Sequence, residues 1–216
     1  MSSIVADNAQ TPHSNALGTT HQRLFYLHDL PDYKVHHDDT DVRGYEVKLR
    51  SGEVVGRVDN LVVDKEAMRT RYLEVSLNGD LHRGYTGERH YLDVDDNRVY
   101  DAGHQEHIVV PVGMASIDAG ERTVYIEGVL LDHLYTYPTY RKGSTLRPRF
   151  ELDTIDYLHR SGYPSGDGAY AYSTADYRDF DDRNHRGLSD RFYTSGYFRS
   201  SGVYDRHQEA IRSKGL

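Results

Sequence analysis

The sequence predicts a mainly β fold: a small antiparallel barrel with one or two short helices and a long, largely irregular C-terminal tail. Three observations predict it. Between Leu24 and about residue 160 the aliphatic residues arrive in short bursts that alternate with polar ones, the period of a half-buried strand. Turn-forming clusters such as Ser51-Gly52, Asp95-Asp96-Asn97 and Asp118-Ala119-Gly120 punctuate those bursts at hairpin spacing. After Ser161 the composition changes sharply: only Leu188, Val203, Ile211 and Leu216 remain as aliphatics, beside seven tyrosines and three phenylalanines.

The elements follow in order. Residues 1–22 are polar and read as a disordered leader. Residues 23–140 form the barrel domain. Within it, Val42 to Leu49 runs into the Ser51-Gly52 turn and returns as Val54 to Val63. In Arg71–Leu77, Leu73, Val75 and Leu77 share one face, and Tyr72, Glu74 and Ser76 the other. His90 to Val94 and Arg98 to Tyr100 read as a hairpin with a polar tip. Ile108, Val110 and Val112 alternate again, and a turn at Asp118-Ala119-Gly120 leads into Thr123–Val129. Strands this short and this evenly spaced suit a small barrel, which also removes exposed sheet edges. Leu130 to Tyr137 supports a turn or two of helix before Pro138. Residues 141–160 form a short helical extension, with Asp153 as the expected N-cap of Thr154–Arg160 and Gly162 and Pro164 as its stop. Residues 161–216 are a Tyr-, Gly-, Arg- and Asp-rich flexible tail, too poor in aliphatics to fold alone.

Composition narrows the function. The 216 residues carry a net charge of −8 with 37% hydrophobic residues, a pI near 5.9 and a mean hydropathy of −0.75. Eight acids balance eight bases after Ser161, so the excess negative charge belongs to the first 160 residues. Such a balance disfavours phosphate-backbone binding, which needs surplus Lys and Arg to release counterions. Cysteine is absent, which excludes disulfides, thiolate nucleophiles and Cys-ligated zinc. No apolar run approaches the roughly 20 residues that a membrane helix needs, and Met1 to Thr20 has no signal-peptide pattern. The expected location is cytoplasmic, with any place at the inner membrane gained through a partner. Phosphate-binding loops, GxSxG elbows, HExxH motifs and dinucleotide fingerprints are all missing. A catalytic role is therefore not expected, and neither is a cofactor.

Three stretches carry a family resemblance. The first is Asp29-Leu30-Pro31-Asp32-Tyr33-Lys34-Val35 followed by Asp41-Val42-Arg43-Gly44-Tyr45-Glu46-Val47. The second runs from Gly52-Glu53-Val54-Val55-Gly56-Arg57-Val58-Asp59-Asn60-Leu61-Val62-Val63-Asp64 through Met68 to Arg71-Tyr72-Leu73-Glu74-Val75. The third is Val109-Val110-Pro111-Val112-Gly113-Met114-Ala115, closing with Val124-Tyr125-Ile126. As an ordered set over roughly residues 27–140, they resemble the PRC-barrel family. That family includes the cytoplasmic part of the photosynthetic reaction-centre H subunit, the C-terminal domain of a ribosome-maturation factor, and stand-alone bacterial proteins associated with stress. The resemblance implies a PRC-type barrel that binds another macromolecule and performs no chemistry. No counterpart of the H subunit's N-terminal membrane helix or of the ribosome factor's leading domain is expected from this sequence. Two roles follow as expectations: a stress-related adaptor docking onto a protein, or an anchorless H-subunit-like component aiding assembly, stability or proton delivery in a membrane-embedded photosynthetic complex. Gly44 and Gly56 are expected where strands bend or approach closely, and Pro111 at an edge or a bulge.

The candidate contact residues are charged or aromatic groups on predicted strands: Arg43, Arg57, Arg71 and Tyr72. In the tail, Tyr193, Tyr197, Phe198 and Tyr204 alternate with arginines, a pattern suited to wrapping a protein partner or to self-association into homo-oligomers. Two histidine clusters resemble metal ligands. His36-His37 precedes Asp38-Asp39, but adjacent side chains of an extended segment point apart, and a solvated acidic loop is the preferred reading. His104 and His107 flank Gln105 and Glu106 in what reads as a loop. No metal is assigned to either.

Overall fold

The computed structural model describes residues 3–6, 22–82, 106–162 and 188–199. The fold is mainly β. Ten strands are described: β1 (Ile4–Ala6), β2 (Leu24–Tyr26), β3 (Tyr33–Val35), β4 (Glu46–Leu49), β5 (Val54–Asp64), β6 (Arg69–Leu77), β7 (Glu106–Pro111), β8 (Ala115–Asp118), β9 (Thr123–Ile126) and β10 (Tyr140–Arg141). Two helices, α1 (Leu131–Leu134) and α2 (Pro148–Arg160), follow the main strand run. The principal sheet runs β10-β7-β6-β5-β4-β9-β8, with β2 also paired to β5, while β1 and β3 form a separate ribbon. The barrel was expected to be antiparallel, and one pair departs from that: β4 and β9 are parallel, Glu46 opposite Thr123 and Leu49 opposite Ile126. Four described strands, β5 to β8, lie between β4 and β9 in the chain, so no hairpin forces them antiparallel.

The long strand β5 organises the sheet. Its first residues pair with β4, its last with β2, and nearly its whole length with β6. Val, Leu and Ile side chains from β4, β5, β6, β7 and β9 make one core, in which Val47, Leu49, Val55, Leu61, Val75, Ile108 and Val124 are fully buried. Each such side chain stabilises the fold by about 1.5–3 kcal/mol relative to exposure. At Gly56 the backbones of β5 and β6 leave no room for a side chain: a Cβ there would lie 2.1 Å from the Ser76 carbonyl oxygen. Gly44 has a different role. Its φ of +80° turns the chain just before β4, and its N–H donates to the Val58 carbonyl at 2.7 Å. This turn is why β4 begins at Glu46 rather than at Val42. Pro111 ends β7 opposite Tyr72 and leads into a 3-10 turn over Val112–Met114.

Two irregularities decide where the polar side chains go. The β5–β6 register shifts once between Val58 and Asn60, and again between Val62 and Val63. The first shift leaves Asp59 as an extra residue on β5, the second Arg71 on β6. A bulge re-aims the extra side chain. Here Asp59 is delivered to Lys142 and His107, and Arg71 to Asp64 and Tyr193.

Three expectations are corrected. Ile4–Ala6 is not leader but a strand, β1, pairing with β3 and burying Ile4. The helix α2 starts at Pro148, with Arg147 extended before it, and not at Asp153. Pro at the first helical position has no N–H to lose there and presets φ. Asp153 is mid-helix, paired with Arg149 at 3.2 Å. Gly162, at φ +81°, lies just past the helix end, as expected. Finally, part of the predicted flexible tail is packed: Leu188, Phe192, Tyr193, Tyr197 and Phe198 are all buried. The predicted hairpin at His90 to Tyr100 lies outside the described residues.

Candidate functional site

The face of β4, β5 and β9 turned away from the core carries charge and aromatic surface. Glu46 lies opposite Arg57 on β5, and Lys48 opposite Tyr125 on β9. Arg57 is exposed, its guanidinium donating to the Gly44 carbonyl at 3.2 Å. Lys48 pairs with Glu46 at 2.9 Å. Arg50 lies over the Tyr125 ring at 4.8 Å and ion-pairs with Glu127. Arg122 lies over Tyr45 at 4.7 Å, and Arg43 is held by Asp41. These are surface pairs, individually worth less than about 1 kcal/mol, and open to exchange for a partner's groups.

Two further clusters lie beneath the surface. In the first, the Glu151 carboxylate on α2 is 2% exposed. Tyr72 and Tyr193 both donate to its Oε2, at 2.8 and 2.7 Å. Burial pushes the Glu151 carboxyl up to about 8, against the two hydroxyl hydrogen bonds that favour its charged form. Burial likewise raises the Tyr72 and Tyr193 hydroxyls well above the ordinary phenol value, and the neighbouring Glu151 adds to it. Above Tyr193 sit two guanidinia, Arg23 at 4.7 Å and Arg71 at 4.5 Å from the ring centroid. Both reach Asp64 Oδ2, at 2.7 and 2.8 Å, while the Ala67 N–H donates to Oδ1 at 3.0 Å. Burial alone would raise the Asp64 carboxyl. The Arg23, Ala67 and Arg71 hydrogen bonds outweigh it and hold Asp64 below the usual carboxylate range.

In the second cluster, ligand atoms of Asp59, Glu74 and His107 lie within 4.8 Å of one another, a spacing that could hold a metal ion. Lys142 Nζ already sits 2.5 Å from Asp59 and supplies a positive charge there. Burial would raise the Asp59 carboxyl, but Lys142 holds it low. Glu74 is raised by burial, opposed by the 2.8 Å hydrogen bond that Tyr140 donates to it.

Residues 34–130 match the family model of the PRC-barrel domain. The chain contains a PRC-barrel domain. No curated protein matches the chain. Both buried clusters draw on residues beyond the matched stretch: Arg23, Tyr140, Lys142, Glu151 and Tyr193 meet Asp59, Asp64, Arg71, Tyr72 and Glu74 of the PRC-barrel domain.

The candidate residues therefore separate. Arg43 and Arg57 lie near each other beside the Gly44 turn and reach solvent. Arg71 and Tyr72, expected beside them, are 7% and 0% exposed and belong to the Glu151 cluster. The alternation that put Tyr72 and Glu74 on a solvent face was correct in its period. It missed that α2, β10 and residues 188–199 cover that face. Tyr193, Tyr197 and Phe198 contact this chain's own domain rather than solvent, with Phe198 edge-on to Tyr72 at 5.2 Å. Tyr204 and His104 lie outside the described residues. His107 is buried on β7 and not in a loop. His36 and His37 do not splay apart, because the chain turns there: their rings are 4.2 Å apart and their ligand atoms fall within 4.8 Å of Asp38. Sequence reasoning did not single out Glu151, Asp64 or Arg23. A signal for Glu151 existed, a carboxylate between Phe150 and Leu152 on the buried stripe of a helix.

Proposed function

We propose that the chain is a non-catalytic adaptor whose PRC-barrel domain docks onto another protein through the exposed face of β4, β5 and β9. The observation that supports this reading is the distribution of side chains. Arg57, Lys48 and Tyr125 stand on paired strands at or near the surface, with Arg50 in the turn just past β4. The carboxylates that could do acid–base work, Glu151, Glu74 and Asp64, are buried beneath the chain's own side chains. Arginine and tyrosine are the residue types that most often anchor interfaces, and a sheet presents them at little cost in ordering. The partner is a protein with an acidic, partly aromatic patch. The resemblance to stand-alone members of the family favours a stress-related setting in the cytoplasm. Among the described residues no helix is long and apolar enough to cross a membrane.

The test is a tagged pull-down from the native cell, with soluble and membrane fractions kept apart, partners identified by mass spectrometry, and an absorption spectrum taken of each eluate. A colourless protein partner, retained by wild type and lost from Arg57→Glu, is the expected result. Stoichiometric pigmented membrane material would instead identify an anchorless reaction-centre subunit. A partner retained equally by both proteins would remove this face from the account.

A further inference from the structure

We infer that the domain carries a second, separate binding site, a peptide-recognition site for aromatic segments with a central glycine, which the chain's own residues 188–199 fill in cis and can vacate. It does not depend on the β4–β5–β9 surface. The segment Leu188-Ser189-Asp190-Arg191-Phe192-Tyr193-Thr194-Ser195-Gly196-Tyr197-Phe198-Arg199 adds no strand to the sheet. It folds on itself in two 3-10 turns, closed by N–H donation from Thr194 to the Arg191 carbonyl and from Arg199 to the Gly196 carbonyl, both at 3.2 Å.

Its grip on the domain is that of a ligand in a shaped site. Tyr193 enters tip first: its hydroxyl reaches Glu151 at 2.7 Å, and its ring lies against the guanidinia of Arg23 and Arg71. Phe198 packs on Tyr72 and also on Phe192 and Tyr193, at centroid distances of 5.2, 5.3 and 5.1 Å. Between those anchors the backbone crosses Gly113 so closely that a Cβ at Gly113 would lie 2.3 Å from the Gly196 carbonyl oxygen and 2.6 Å from that of Tyr197. Arg23 clips the segment's start, donating to the Leu188 carbonyl at 3.0 Å and pairing with Asp190. Aromatic anchors, one of them hydroxyl-tipped, a cation–π clamp and a glycine-to-backbone crossing are contacts by which peptide ligands are held. Residues 163–187 join the segment to α2 along the chain, so a competing peptide faces an intramolecular copy.

The probe is a labelled synthetic peptide of residues 188–199. It is titrated by fluorescence anisotropy into the full-length wild type and into full-length Tyr193→Ala/Phe198→Ala, whose cis segment has lost its anchors. The expected result is saturable binding to the double variant, at least ten-fold tighter than to wild type and absent for a scrambled peptide. A folded double variant that takes up neither peptide, or both equally, overturns the inference. Hydrogen exchange on the wild type covers the case in which the variant does not fold. Amides of 192–199 are expected to exchange at least ten-fold faster than those of β5 and β6, through local opening. Exchange in step with β5 and β6 would make the segment an integral part of the fold and overturn the inference equally.

Discussion

At the scale of single residues, Glu151 is the most consequential side chain. Burial keeps its carboxyl protonated although two phenol hydroxyls converge on one of its oxygens and favour the charged form. Its carboxyl in the folded protein titrates near 8 instead of at the ordinary 4.5. The folded state therefore keeps a proton that the unfolded chain releases. The stability this adds is complete below pH 4.5 and is lost as pH rises through about 8, a difference on the order of 5 kcal/mol across the window. Glu151→Gln keeps the shape and the acceptor but cannot ionise. Thermal melts between pH 5 and 8.5 should show the wild-type midpoint falling relative to that of Glu151→Gln by several degrees. Parallel curves would mean that Glu151 is ionised throughout. This residue shows what sequence reading missed. A glutamate is ordinarily a surface residue, and nothing local to Phe150-Glu151-Leu152 says that Tyr72 and Tyr193, distant in the chain, arrive to satisfy it.

At the scale of elements, β5 and β6 carry the architecture, and at Gly56 their backbones leave no room for a side chain. Placing a methyl 2.1 Å from the Ser76 carbonyl oxygen forces the two backbones apart. Gly56→Ala should cost more than about 3 kcal/mol, read as a lowered denaturant midpoint. An unchanged midpoint would contradict the packing described. Much of this level was legible beforehand. The Val-rich run from Val54 and its partner ending at Leu77 were readable from alternation, as were the turn at Ser51-Gly52 and the helix ending before Gly162. The bulges at Asp59 and Arg71 were not, since one extra residue in a ladder leaves no mark in composition. The bulge at Arg71 is the reason that Arg71 and Tyr72, neighbours in the chain, reach the same buried cluster. The parallel β4–β9 pair was hidden for a related reason: pairing direction follows from long-range topology, which alternation does not encode.

At the scale of the whole molecule, the PRC-barrel domain is readable as an ordered set of motifs, and its match over residues 34–130 agrees with that reading. What surrounds it was harder to see. Residues 188–199 hold Leu188 as their single aliphatic and read as tail. Their aromatic rings nonetheless bury against Tyr72 and α2, because a domain face already lined with Tyr, Arg and Glu offers partners that an aliphatic count ignores. The outcome is a domain with one face closed by its own residues 188–199 and another, on β4, β5 and β9, left open by the described residues. The central claim is that docking uses the open face. Hydroxyl-radical footprinting of the chain with and without its co-purified partner tests it most directly. The account predicts that the partner protects Lys48, Arg57 and Tyr125 at least three-fold and leaves Phe192 and Tyr193 unchanged. Protection confined to Phe192, Tyr193 and Phe198, with Lys48 and Arg57 as reactive as in the free protein, would contradict it.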